Sequence, residues 1–136
     1  MFKGKDTICI FPTGYGKSLI YQLLPNVFDC FLSSEENSSP IIVVSPLNAL
    51  MQDQINKLKG HLNVRIVRDH RYSVGLKVNG STTTEQLKMV PPQILFSHPE
   101  ILIENKKVFN DVLKTKIYKE CIKAIVVDEA HLVVEW

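Results

Sequence analysis

"FPTGYGKSLIYQ", Phe11 to Gln22, sets two glycines, a lysine and a serine between an apolar run and a stretch whose apolar residues recur at helical spacing. A helix N-terminus presents backbone N–H groups with no partner inside the helix, together with the positive end of the helix dipole, and so holds an anion. Gly14 and Gly16 let the backbone curl close to such an anion, Lys17 reaches its far side, and Ser18 offers a hydroxyl to a cation travelling with it. Phosphate carrying Mg²⁺ suits all four.

The stretch therefore reads as a P-loop of the form T-G-x-G-K-S, with Thr13, Gly14, Tyr15, Gly16, Lys17 and Ser18 around the phosphates of a nucleotide. The full pattern, G-x-x-x-x-G-K-[ST], asks for a glycine where this chain has Phe11. Context supports the reading nonetheless. "DTICIF" before the loop is strand-like and "LIYQLL" after it is helical, the order strand, turn, helix that the loop requires. The competing reading is a glycine-rich turn with a surface lysine, and a second site has to decide.

With 136 residues, 45% hydrophobic and 22% charged, the chain has the composition of one ordinary globular domain. A net charge of +2 announces no general affinity for polyanions, so any nucleic acid must be bound by local features. Cys9, Cys30 and Cys121 have neither metal-site spacing nor an even count for a disulfide framework, which points to a reducing compartment, nuclear or cytosolic. "MFKGKDTICIF" lacks the apolar stretch of a secretory signal, and no run nears the ~20 apolar residues of a membrane span. A strand expected within a few residues of Met1, and an apolar pattern, "HLVVEW", still running at Trp136, predict a fragment, 1–136 being part of one domain.

Pro25 predicts the end of the first helix, and "SSEENSSP" before the next strand an exposed loop. Ile41–Val44 is a continuous β-branched run, as expected of a strand buried on both faces in a parallel sheet. A helix follows, capped by Ser45, with Pro46 in its first turn, Gly60 at its end, and Leu47, Leu50, Met51, Ile55 and Leu58 as its buried stripe. "NVRIV" and "SVGLKV" are strand-like, and Thr82 to Glu85 form a capping box for a short helix. "QILFSHPEIL" again gives strand, turn and helix, a helix covers part of Lys106–Lys119, and "KAIVVDEAH" is the last strand. Repeated β-α order with apolar strands predicts an α/β fold with a mostly parallel sheet.

Ligands of such sheets gather at the carboxyl ends of the strands, and there "AIVVDEAH" delivers Asp128 and Glu129. Adjacent carboxylates at the end of a buried strand are costly unless a cation faces them, and Mg²⁺ on a P-loop nucleotide supplies one. Asp128 is then the magnesium ligand, with Ser18, and Glu129 the group that orients or deprotonates the water attacking the terminal phosphate. An acidic pair alone is more often a solvated strand end, but in a chain with a P-loop that alternative recedes. Taken singly, His61, His70 and His98 read as surface or loop histidines, and the basic cluster Arg65 to Arg71 as a solvated face.

Four stretches together resemble the superfamily-two helicases: "FPTGYGKSLIYQLLP" motif I, "VVSPLNALMQDQI" motif Ia, "ILFSHPEIL" motif Ib, and "VVDEAH" the DEAH-type motif II. The wording is most similar to RecQ helicases, through Pro12–Ser18 with Tyr21 and Gln22, and Ser45–Leu47 with Asp53 and Gln54; that family commonly lacks the first P-loop glycine. The resemblance implies a RecA-like first helicase lobe of P-loop NTPase fold, incomplete here, whose ATP hydrolysis with Mg²⁺ drives 3′-to-5′ movement on single-stranded or forked DNA. It implies Lys17 on phosphate, Ser18 and Asp128 on Mg²⁺, and Glu129 on water. It further implies that His131 couples hydrolysis to DNA, that Ser45, Pro46 and the turn His98, Pro99, Glu100 face the DNA backbone, and that Trp136 opens a DNA-sensing loop.

Three features depart from that family. A small residue or threonine usually precedes P-E in motif Ib, where this chain has His98; "LVVEW" replaces the usual cysteine and serine-glutamine pair after motif II; and 64–93 do not follow the family pattern. The strand of motif III, which in the resembled fold lies between the strands of motifs I and II, is absent from these residues, leaving apolar strand edges open. Two further readings follow: a P-loop domain that binds nucleotide or a partner without catalysis, and a DEAH-type RNA helicase.

Overall fold

The computed structural model describes residues 5–12, 14–32, 39–67, 91–103, 113 and 115–135. Its centre is β1, Ile41–Val44, every residue of which is buried. Four β-branched side chains in a row have no polar face to turn to solvent, so both sides of the strand must be covered. Each such side chain contributes about 1.5–3 kcal/mol on burial.

β1 pairs in parallel with β3, Ile94–Ser97, on one side and with β4, Ala124–Val127, on the other, while β2, Val64–Ile66, lies beyond β3. The order is β2-β3-β1-β4. Helix α1, Lys17–Leu32, and α2, Asn48–Leu58, cover one face, where Tyr21, Leu24, Phe28, Met51 and Ile55 meet Ile41, Val43, Ile94 and Phe96. The other face carries α3, Pro99–Ile103, and α4, Lys116–Cys121; there Ile101 and Tyr118 meet Ile42, Val44 and Leu95. Right-handed crossovers that run in opposite directions along a sheet put their helices on opposite faces, and β1 to β2 and β3 to β4 run in opposite directions.

The expected α/β fold with a parallel sheet is present, and four local expectations are corrected. Pro25 does not end α1 but sits inside it, buried, with Tyr21, Leu24 and Phe28 packed around the same turn. Burial of those rings and methyls outweighs the hydrogen bond that Pro25 does not donate. Helix α2 begins at Asn48 rather than beside Ser45; its N-cap is Leu47, which is exposed rather than part of the buried stripe. Gly60, with φ of 93°, follows its last turn in the left-handed conformation expected of a helix end. The "DTICIF" segment takes no strand, and Ile8 and Ile10 are 89% and 90% exposed. A strand requires a neighbour, and among the described residues nothing lies along the outer edge of β4. That edge strand is consequently only half-buried, with Ile125 and Val127 open to solvent.

The expected strand "SVGLKV", the capping box Thr82 to Glu85 and most of Lys106–Lys119 lie outside the described residues, although α4 overlaps the end of that last stretch. Among the described residues no helix is long and apolar enough to cross a membrane.

Candidate functional site

The P-loop forms the lead-in to α1. Gly14 and Gly16 have φ of 85° and 73°, in the left-handed region that side chains disfavour. Space is not the constraint, since a Cβ on Gly14 meets nothing within 4 Å and one on Gly16 only the Leu19 Cβ at 3.9 Å. The glycines are needed for direction. The turn they make closes on the Gly16 carbonyl, which accepts the Leu19 N–H at 2.9 Å, and leaves Lys17 and Ser18 half-buried at the head of the helix. Tyr15 projects into solvent, 74% exposed, and Thr13 lies outside the described residues.

The acidic pair leaves the carboxyl end of β4. Asp128 is tied to the sheet by its N–H, donated to the Val44 carbonyl at 2.9 Å, and its Oδ1 accepts the Glu129 N–H at 3.0 Å. Burial raises its pKa above the ordinary carboxylate value, and the Glu129 charge adds to the rise; the Glu129 N–H and the Lys17 ammonium oppose it. The Lys17 charge at the head of α1 thus bears on the carboxyl that leaves the end of β4. Glu129 has φ of 53°, a left-handed conformation rare for a residue with a long side chain. Its Oε2 lies 3.3 Å from Nδ1 of the exposed His131.

Two further groups, to which the sequence reading assigned no role, complete this end. Tyr21, one turn beyond Lys17, is buried edge-on against Phe96, and its hydroxyl has no hydrogen-bond partner among the described residues. Burial first, then Asp128, Asp53 and Glu129, push its pKa far up. Gln22 donates to the Gln54 Oε1 at 2.5 Å, joining α1 to α2. Both glutamines stood in the motif wording, but their contact is tertiary and no spacing rule announces it.

The turns after β1 and β3 form a second cluster. The Ser45 N–H donates to the Ser97 carbonyl at 3.0 Å, and Ser97 Oγ donates to the His98 carbonyl at 3.1 Å. His98 is no surface histidine: it is 4% exposed, and its Nε2 lies 2.6 Å from the Asn48 Oδ1 at the head of α2. Ser45 is also buried, its hydroxyl without a partner among the described residues. Of the residues expected to face DNA, Ser45, His98 and Pro99 are therefore inside, Pro46 and Glu100 are half-buried, His131 is exposed, and Trp136 lies outside the described residues.

Comparison with known proteins places this geometry. The DEAD/DEAH box helicase model matches residues 1–136. The chain belongs to the DEAD/DEAH box helicase family. It is 33% identical to the ATP-dependent DNA helicase hus2/rqh1 of Schizosaccharomyces pombe, over 98% of this chain and 10% of that protein. It is 29% identical to the probable ATP-dependent DNA helicase RecS of Bacillus subtilis, over 100% of this chain and 24% of that protein. Likewise it is 29% identical to the ATP-dependent DNA helicase RecQ of Haemophilus influenzae, over 98% and 19% respectively. The RecQ resemblance of motifs I and Ia is thereby borne out, while the chain spans between a tenth and a quarter of the length of these relatives.

As a DEAD/DEAH box helicase chain, it carries the parallel sheet, flanking helices and P-loop of a RecA-like lobe. The donor set at the head of α1 fits Mg²⁺, a hard cation that takes oxygen ligands. Ser18 offers a hydroxyl and Asp128 a carboxylate whose Oδ1 accepts a backbone N–H, oxygen donors that could hold such a cation.

Proposed function

We propose that this chain is the nucleotide-binding part, a partial first RecA-like domain, of an ATP-dependent DNA helicase of RecQ type that moves 3′ to 5′ on single-stranded or forked DNA. The observation that supports it is the meeting of Lys17, at the head of α1, with Asp128, at the end of β4, in one electrostatic environment. A lysine and a half-buried carboxylate beside a left-handed glycine loop form a site for a polyphosphate with its metal. Thr13, Gly14, Tyr15 and Gly16 wrap the phosphates, Lys17 neutralises the terminal ones, and Ser18 with Asp128 holds Mg²⁺, whose chemistry is to neutralise charge developing on the phosphoryl oxygens. Glu129 orients the attacking water and takes its proton, and its contact with His131 carries the state of that carboxylate to the exposed surface. DNA lies across the turn of Ser45 and Pro46 and the turn 98–100, meeting them through the half-buried Pro46 and Glu100, and His131 with Trp136 reports its presence. Action in the nucleus accompanies this reading, as a reducing compartment does the three free cysteines.

A catalytically silent nucleotide-binding domain is the second reading, favoured by "LVVEW" where the resembled family has its coupling residues. The experiment that separates them is the ATPase rate of the full-length protein with and without single-stranded DNA. DNA-stimulated turnover that falls by at least about 100-fold in Lys17→Ala is expected, the scale of losing one preorganised charge on the reacting phosphate. Retained turnover in that variant removes the P-loop assignment, and ATP binding without turnover under any nucleic acid establishes the silent domain.

A further inference from the structure

We propose that His98 is a positioning residue that locks the start of α2 to the turn after β3, so that the two turns assigned to DNA present one rigid rim. This rests on the DNA reading above. The geometry is specific. With the Asn48 carboxamide oxygen turned to the ring at 2.6 Å, Nε2 carries the proton, and Nδ1 faces Glu100 at 3.9 Å, beyond hydrogen-bond reach.

The contact spans fifty positions of sequence and joins two different crossover units. It is reinforced below by the Ser45 N–H on the Ser97 carbonyl, so the turns are held at two levels, backbone and side chain. α2 needs such a tether, because its N-cap, Leu47, makes no side-chain cap hydrogen bond. Asn48 instead spends its side chain on His98. The small residue or threonine usual before P-E in the resembled family has no ring to reach across to Asn48, as His98 does.

The position is buried, so a ring lost here leaves a cavity as well as removing the contact to Asn48. Two variants with different faults are therefore needed. Asn48→Ala removes the acceptor from a half-buried position and keeps the ring, and His98→Gln keeps a donor on a side chain long enough to reach Asn48.

In the full-length protein, we expect Asn48→Ala to raise the DNA concentration for half-maximal ATPase stimulation about fivefold, the factor one hydrogen bond of ordinary net strength supplies. Turnover at saturating DNA should fall by less. His98→Gln should restore most of the affinity lost in His98→Ala, and the double variant Asn48→Ala/His98→Ala should be no worse than the weaker single one. Additive effects of the two substitutions, or unchanged DNA dependence in Asn48→Ala, overturn the clamp. Histidine labelled with ¹⁵N reads the contact without DNA: an Nε2–H tautomer at His98 whose resonance moves in Asn48→Ala supports it, and an Nδ1–H tautomer or an unmoved resonance overturns it. A protein with that signature but no DNA stimulation would retain the clamp and lose the helicase reading, so the two failures are distinct.

Discussion

β3 and β4 are neighbours of the same strand and have nearly the same chemistry, ILFS against AIVV, yet every residue of β3 is buried while β4 alternates between half-buried and exposed. Both pair with β1 in parallel and in full register. The difference is the company on the far side. β3 has β2 beyond it and helices on both faces, whereas among the described residues β4 has nothing along its outer edge. An apolar strand thus records what its residues tolerate, and its burial is decided by neighbours whose position is written elsewhere in the chain.

The sharpest way to break this comparison is to truncate one side chain on each strand. Phe96→Ala, at a position 1% exposed, should cost about 3–5 kcal/mol in urea-induced unfolding. Ile125→Ala, at 65% exposed, should cost less than about 1 kcal/mol. Equal costs would mean that β4 is covered in solution by a segment not seen against it here.

Tyr21 tests the same contrast at the P-loop end of the sheet, because its ring belongs to the buried face and its hydroxyl to the polar end. Tyr21→Phe deletes a buried donor that has no partner among the described residues and should stabilise the protein by about 1 kcal/mol. Destabilisation would show the hydroxyl to be bonded, with a water on Asp128 as the first partner to seek.

A smaller effect belongs to His98. Burial lowers its pKa below the ordinary 6.5, against the opposing charge of Glu100. As pH falls through that value the unfolded chain binds the proton first, so the stability that the neutral ring supplies is whole above about 6.5 and declines below it. The thermal midpoint should accordingly fall between pH 7.5 and 5.5, and fall less in His98→Gln; parallel curves for the two proteins would assign the loss to other groups.

Much of this was legible in the sequence because it depends on local pattern. Ile41–Val44 has no polar face to expose, Gly14 and Gly16 flank a turn only glycine makes easily, and Asp128–Glu129 end an apolar run where parallel sheets gather their ligands. The errors share a different origin. Pro25 is a helix breaker by propensity, and its neighbours' burial overrides that. "DTICIF" has the composition of a strand but no partner, and hydrogen bonding in a sheet is a property of pairs. His98 looked like a loop histidine because Asn48, fifty positions away, is invisible to any window.

The backbone at Glu129 bears on how this chain would drift over generations. At φ of 53° the position favours glycine, asparagine or aspartate, and a glutamate there costs on the order of 1–2 kcal/mol. Folding alone would not keep it. If Glu129 activates water as proposed, a lineage released from that work should lose this residue early, toward glycine, one nucleotide away in the genetic code, while the neighbouring Asp128, whose Oδ1 accepts the residue 129 N–H, changes more slowly. The identity of residue 129 in descendants of this gene is then a running record of whether the chemistry is still in use.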